Sequence, residues 1–401
     1  MSRPAQASGR QESAAREDST LRSFALYFLK LGTLGFGGPI VLAGHMQRDL
    51  VEERGWITQQ DYIEGLALAQ LAPGPLAAQL AIYLGWVRAG VVGATLVAAA
   101  FILPSFLMVL AISAFYVKFG GLGWVQGAFY GIGAAVIAII ARSVWKMVRA
   151  TLKSDALLWT LFAITALVTA WTESEIVWLF VLCGAVALAV KAPPRFGASP
   201  GIGSAALAVP LGSGWWFTGL HGPASAATLG KICLYFAAAG TFVFGSGLAI
   251  VPFLYGGVVR DFHWLTERQF LDAVAVAMIT PGPVVITVAF IGYLVAGPLG
   301  ASAAALGVFL PCYLLVILPA KYYRRAVQNL SIKAFVGGVT AAATGAIAGA
   351  AVVLGRRSLV DLTTVLVAIG TLAGLLGFRK IPEPMWICAA GLIGVLLFHS
   401  H

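Results

Sequence analysis

Two pairs of helix-breaking motifs lie inside stretches that are otherwise apolar. Phe36-Gly37-Gly38-Pro39 is one, matched later in the chain by Phe244-Gly245-Ser246-Gly247; Pro73-Gly74-Pro75 is the other, matched by Pro281-Gly282-Pro283. Proline inside a helix costs about 3 kcal/mol, and glycine about 1 kcal/mol relative to alanine, so the backbone is expected to unwind at these places. A proline at the first helical position loses no hydrogen bond, so a fresh half-helix is expected to begin at Pro75 and at Pro283. The free N–H groups and roughly half a positive charge at such an end suit an anion. Gln70 and Gln79 flank the first P-G-P, and Thr280 and Thr287 flank the second. Amide and hydroxyl groups donate to an oxyanion without adding fixed charge; hydrogen bonds between helices are an equally good reading of them. Glu64 and Asp272 each lie nine residues before the first proline of a P-G-P. Acids in a membrane helix are costly and usually functional, which makes the pair candidates for proton coupling; a place at the water interface is the simpler reading.

The elements that must position these groups are membrane helices. Of 401 residues only 10% are charged and 60% are hydrophobic, with mean hydropathy +0.90, far from the roughly 25% charged of a soluble domain. Ala273 to Ala320 contains no Asp, Glu, Lys or Arg, long enough for two helices of about 20 residues each. The apolar runs do not alternate, which excludes a β-barrel. The fold class is all-α, a polytopic membrane protein. Its net charge of +10 is explained by basic clusters beside apolar segments, such as Arg142, Lys146, Arg149 and Lys153. That is the positive-inside pattern, and it requires no nucleic acid.

The chain repeats itself. At an offset of 208, Tyr27-Phe28 falls on Tyr235-Phe236, Trp56 on Trp264, Glu64 on Asp272 and the first P-G-P on the second; at 207, Gly85 falls on Gly292 and Leu103-Pro104 on Leu310-Pro311. The expected organisation is a disordered tail over 1–21, a first repeat over 22–195, a linker over 196–227 that is able to supply an extra span, and a second repeat over 228–401. Lys321, Arg324, Arg325 and Lys333 return to the same side as the first half's basic loops only if the second half is inverted. Thirteen crossings fit these charges, and ten follow if one broken segment per half is re-entrant. Symmetric broken helices in inverted repeats are the sequence pointer to a transport site at mid-membrane.

Other features read as structure. Gly127-x-x-x-Gly131 and Gly345-x-x-x-Gly349 suit close helix packing. The four cysteines, all in apolar runs, read as small hydrophobes, not disulfide or metal sites. Lys30 and Arg142 are candidate cations for a dianion, with snorkelling or loop-end positions the simpler reading. There is no G-x-x-x-x-G-K nucleotide loop, and nothing points to an enzyme or a cofactor.

These motifs resemble the chromate transporter family. The residues that carry the resemblance are Gly35-Phe36-Gly37-Gly38-Pro39, Gln70-Leu71-Ala72-Pro73-Gly74-Pro75, Phe244-Gly245-Ser246-Gly247-Leu248-Ala249, and the run from Thr280 to Tyr293. The resemblance implies a two-domain carrier in the bacterial inner membrane, with oppositely oriented halves, that expels chromate using the proton motive force; the alternative is a carrier of another oxyanion such as sulfate, or an importer. Expected partners are the oxyanion, protons and the lipid bilayer, with room for a homodimer. Met278 stands where members often carry Gln.

Overall fold

The computed structural model describes residues 20–36, 38–172, 177–192, 218–219, 222–241, 250–321, 330–378 and 381–397. Gly37, the chain before Thr20, most of the linker and the whole of Phe244-Gly245-Ser246-Gly247 lie outside the described residues. Within them the chain is helical apart from its turns and a two-residue ladder between β1 (Thr218–Gly219) and β2 (Gly222–Pro223). The helices of the first half are α1 (Leu21–Leu34), α2 (Gly38–Met46), α3 (Gln59–Leu71), α4 (Leu76–Phe119), α5 (Gly123–Thr151), α6 (Ala156–Thr172) and α7 (Val177–Lys191). Those of the second are α8 (Ala226–Thr241), α9 (Ile250–Tyr255), α10 (Glu267–Ile279), α11 (Thr287–Ala320), α12 (Leu330–Ser358), α13 (Leu362–Gly377) and α14 (Glu383–Leu397). By length and composition α4, α5, α12, and α11 with the 3-10 turn Val284–Ile286 before it are able to cross a bilayer. This is a multi-pass membrane protein.

The described breaks are the tips of hairpins. Tyr27 in α1 donates its hydroxyl to Asp49 at 3.2 Å, in the π-helical stretch Gln47–Glu53 that continues α2. Residues well before and well after Gly35-Phe36 therefore lie side by side. Likewise Gly65 in α3 packs on the side chains of Tyr83 and Leu80 in α4, so the chain folds back at Pro73-Gly74-Pro75. The long helices fold back too. At Ala89 (φ −150°, ψ 34°) and Gly90 (φ 58°, ψ −144°) helix α4 reverses, and Ala296 and Gly297 repeat the turn in α11. A Cβ on Gly85 would come within 2.6 Å of the Gly93 carbonyl oxygen, whereas eight residues along one straight helix would separate them by about 12 Å. Gly292 and Gly300 make the same approach.

The two halves are interlocked. Helices α6 and α7 of the first half pack on α12 of the second, and α13 and α14 of the second pack on α5 of the first. The approach is backbone to backbone: Gly131 faces the Ala390 carbonyl and Gly338 faces that of Cys183, a reciprocal pair at the 207 offset. Gly345 and Gly349 lie on Phe162 and Ala166 of α6, and Gly394 on Gly127 of α5, so both G-x-x-x-G motifs serve close packing, as small residues do where lipid removes the hydrophobic drive for helix association. Helices α5 and α12 run in opposite directions, with Ile137 beside Gly355 while Val148 clusters with Ala341 and Ala342. On the outside, Leu306, Leu310, Leu314 and Leu318 form one exposed apolar stripe along α11, facing where lipid must lie.

Candidate functional site

The hairpin tips of opposite halves meet. Gly282 donates its backbone N–H to the Gly35 carbonyl at 2.9 Å, joining the P-G-P of the second half to the F-G-G-P break of the first. Gly74 and Gly282 hold φ at +139° and +96°, a region where a side chain is strained. Each also packs where a Cβ has no room: Gly282 against Ser105 Oγ, and Gly74 against Cys312 Sγ and the Gln79 amide. Ser105 and Cys312 correspond at the 207 offset, so each P-G-P rests on the long helix of the other half. The backbone is still extended at Pro75 (φ −70°, ψ 110°), so α4 starts one residue later at Leu76, and in the second half a 3-10 turn intervenes before α11. The expected helix starts at Pro75 and Pro283 are therefore displaced along the chain, because each proline is itself the N-cap, with helical φ but extended ψ.

Around this junction lies a cavity of about 540 Å³, within the range of about 300–1,000 Å³ usual for ligand clefts. Of the residues expected at a site, Phe36, Gly38, Pro39, Gln70, Thr280 and Gly282 line it. Gln70 and Met278 correspond in the repeat, as do Leu76 and Val284, and all four are in its wall. Both halves thus contribute the same positions to one space. Ser143, Lys146, Met147, Ala150 and Thr151 of α5 form another wall at helical spacing, and Thr340 of α12 and Glu383 of α14 also line the cavity. Arg142 does not line the cavity; it binds Glu383 at 3.1 Å.

The remaining expected residues lie beside the cavity. Pro75 and Pro283 border a narrow crevice between the tips, with Pro39 and Gly282. Gln79 is fully buried and folds onto its own tip, donating Nε2 to the Pro73 carbonyl at 2.6 Å; its Oε1 has no hydrogen-bond partner among the described residues. Thr287 donates to the Val284 carbonyl at 2.8 Å, tying the second tip in the same way. Pro73, Gly74 and Pro281 build the tips without lining the cavity. Gly37, Phe244, Gly245, Ser246 and Gly247 lie outside the described residues.

The paired acids differ. Asp272, on α10, is 5% exposed and accepts a hydrogen bond from Tyr116 of the other half at 2.6 Å, with Phe129 and Phe290 packed edge-on against that tyrosine. It sits about 9 Å along the helix axis from Met278 in the cavity wall. Glu64, on α3, is half-buried and accepts from Gln60 at 2.9 Å. Sequence reasoning missed Lys146 and Glu383 as cavity residues. The basic run from Arg142 to Lys153 reads as a loop cluster, and only its helical phase, with positions 143, 146, 147, 150 and 151 on one face, separates Lys146 from its neighbours.

The description "Chromate transporter" matches the sequence twice, over residues 22–188 and again over 230–395. The chain belongs to the chromate transporter family. It is 58% identical over 380 residues to the chromate transport protein of Cupriavidus metallidurans, covering 94% of each chain. To the probable chromate transport protein of Synechococcus elongatus it is 54% identical over 381 residues, covering 94% of this chain and 96% of that one. A chromate transport protein of Pseudomonas aeruginosa is 31% identical over 382 residues, covering 92% and 91%. No solved structure matches. The double match places one copy of the chromate transporter sequence on each side of the hairpin-tip junction. The relatives are named as transport proteins, which points away from an enzyme.

Proposed function

We propose that this protein carries chromate out of the cytoplasm across the bacterial inner membrane, driven by the proton motive force, and so confers chromate resistance. The observation that supports the reading best is the meeting of hairpin tips from both halves at one mainly apolar cavity that carries a few polar groups, Gln70, Ser143, Lys146, Thr151, Thr280 and Thr340 among them. Non-helical backbone inside a membrane protein is tolerated only where it is buried or lines a wet cavity, and that is where Gly35, Phe36, Thr280 and Gly282 lie. Phe36, Gly37, Gly38, Pro39, Gln70, Thr280 and Gly282 form the substrate site, completed by Phe244, Gly245, Ser246 and Gly247. Pro73, Gly74, Pro75, Gln79, Pro281, Pro283 and Thr287 hold the tips, so that the starts of α4 and α11 present roughly half a positive charge each. The cavity is large enough for a tetrahedral dianion with several waters, each taking about 30 Å³, so dehydration need not be complete.

In this reading the halves are inverted repeats, the hairpins are re-entrant, and alternating access moves one interlocked set of helices against the other. Asp272 is the better placed of the two proton-coupling candidates, because its carboxylate is buried and its hydrogen bond with Tyr116 crosses between halves. Protonation would remove the charge that Tyr116 stabilises and loosen that link.

Counterflow of labelled chromate in liposomes containing only this protein tests the function. Uptake into preloaded vesicles, accelerated by an imposed pH gradient, is the expected result. Hydroxyl and amide donors fit any tetrahedral dianion, so sulfate is the competitor: faster exchange of sulfate than of chromate would replace the substrate, and flux insensitive to pH would remove the coupling.

A further inference from the structure

We propose that Lys146 is the cation that receives the oxyanion in this cavity, and that the charge is confined to one face of the protein because the corresponding place in the second half is apolar. The inference rests on the transport reading above and names the residue that sets its affinity.

Three observations carry it. Lys146 lies in the cavity wall, on the face of α5 that also presents Ser143, Met147, Ala150 and Thr151. The carboxylate in that wall, Glu383, would repel an anion if left alone. It is held by Arg142 at 3.1 Å, with side chains only 16% and 26% exposed, so its charge is cancelled at short range. Lys146, one turn from Arg142, has no acidic partner within ion-pair distance among the described residues. Arg149, the next cation on α5, stacks on Trp145 with its guanidinium 4.7 Å from the ring centre and is not in the wall. Lys146 is therefore the uncompensated charge of the described wall.

The corresponding face of α12 is different. At the 207 offset Ser143, Lys146 and Met147 become Ala350, Val353 and Leu354, and Val353 and Leu354 are 6% and 2% exposed. Arg357, which corresponds to Ala150, is engaged in an ion pair with Glu267 and packs over Tyr255. When the carrier turns to open the opposite face, the anion meets no free cation at these corresponding positions, Ala350, Val353, Leu354 and Arg357. Capture is favoured on one face and release on the other, without any change in the hairpin tips.

The test compares wild type, Lys146→Gln and Lys146→Arg, purified and reconstituted in liposomes, with equilibrium binding of labelled chromate to the same proteins in detergent as a second measurement. A solvent-exposed pair of single charges is worth up to about fivefold, and a dianion more. Lys146→Gln should therefore raise the half-saturating chromate concentration and the dissociation constant about three- to tenfold, and Lys146→Arg should restore both. Raising ionic strength should weaken chromate binding to wild type more than to Lys146→Gln. Unchanged binding in Lys146→Gln, failure of Lys146→Arg to restore it, or lost flux at unchanged affinity would overturn the proposal. Weaker binding in Lys146→Gln together with no chromate flux in any of the proteins would keep Lys146 as the anion receptor and defeat the transport reading instead.

Discussion

The two halves of the molecule agree in their backbone contacts and disagree in their polar groups. Gly32 packs on Phe101 as Gly240 packs on Val308, and the Gly85–Gly93 approach recurs as Gly292–Gly300. The related P-G-P glycines rest on Ser105 in one case and Cys312 in the other. Yet Lys146 corresponds to Val353, Gln70 to Met278, Glu64 to Asp272, and Arg54, stacked 4.6 Å over Trp56, to Phe262, stacked 4.6 Å on Trp264. Positions where a Cβ has no room hold both copies to one architecture. Other positions have no such constraint, and there the halves carry different chemistry; Gln70, Met278 and Lys146 among them line the cavity. A symmetric scaffold can in this way bear a directional function.

The shared contacts are the most sensitive place to intervene. Gly282→Ala must enter a left-handed backbone region, costing about 1–2 kcal/mol, and overpack against Ser105, costing about 1–3 kcal/mol more. It should lower the melting temperature and abolish transport, and Gly74→Ala should do the same. Gly133→Ala, with nothing within 4 Å of an added Cβ, should leave both unchanged. Equal behaviour of all three would mean that the tips are not load points.

The acids should separate the halves next. Asp272→Asn should remove the acceleration of flux by a pH gradient, whereas Glu64→Gln should keep it. Tyr116→Phe leaves the buried carboxylate without its donor, at about 1–3 kcal/mol, and should behave as a weaker Asp272 variant. The reverse order, with Glu64 essential and Asp272 dispensable, would transfer proton coupling to the first half.

Much of this was legible in the amino-acid pattern, and what was not has a physical reason. The repeat, the turns at Gly35-Phe36 and at the two P-G-P motifs, and the packing role of the G-x-x-x-G motifs follow from residue types at fixed spacing. The division of the uncharged run Ala273 to Ala320 into two segments follows too, from its length, and the chain turns at Ala296-Gly297; the close Gly292–Gly300 approach that the turn produces does not. Nor does pattern show that α6 and α7 belong to the other half's α12, since nothing local distinguishes Gly338 meeting Cys183 from a contact within one half. The difference between Asp272 and Glu64 was invisible for a similar reason. It depends on Tyr116, which is 156 positions from Asp272.

Two smaller effects complete the comparison. Met278→Gln would give the second half the amide that Gln70 gives the first, and one added hydrogen bond of about 0.5–1 kcal/mol should lower half-saturation for chromate about two- to fivefold; a rise would show that the site prefers an apolar wall there. Helices α6 and α13, one in each half, start on Asp155 and Asp361, paired with Lys191 and Tyr130 respectively. The Lys191 ammonium, aided by the N–H groups of Leu158 and Leu157, holds the Asp155 carboxyl below its ordinary value. Because the folded value is the lower one, this contact stabilises above the unfolded carboxyl's value of about 3.9 and fades as pH falls through the folded value. Asp155→Asn should cost under about 1 kcal/mol at neutral pH in this exposed setting, and nothing in strong acid. Thermal melts across pH check this.

Single cysteines at Phe36 and Thr280, one on each half's hairpin, placed in a background with Cys183, Cys233, Cys312 and Cys388 replaced, decide whether the tips form a common substrate site. Both should react with a water-borne thiol reagent, and chromate should protect both over the same concentration range. Reaction unaffected by saturating chromate at either position, in a protein that still transports it, would contradict the shared site.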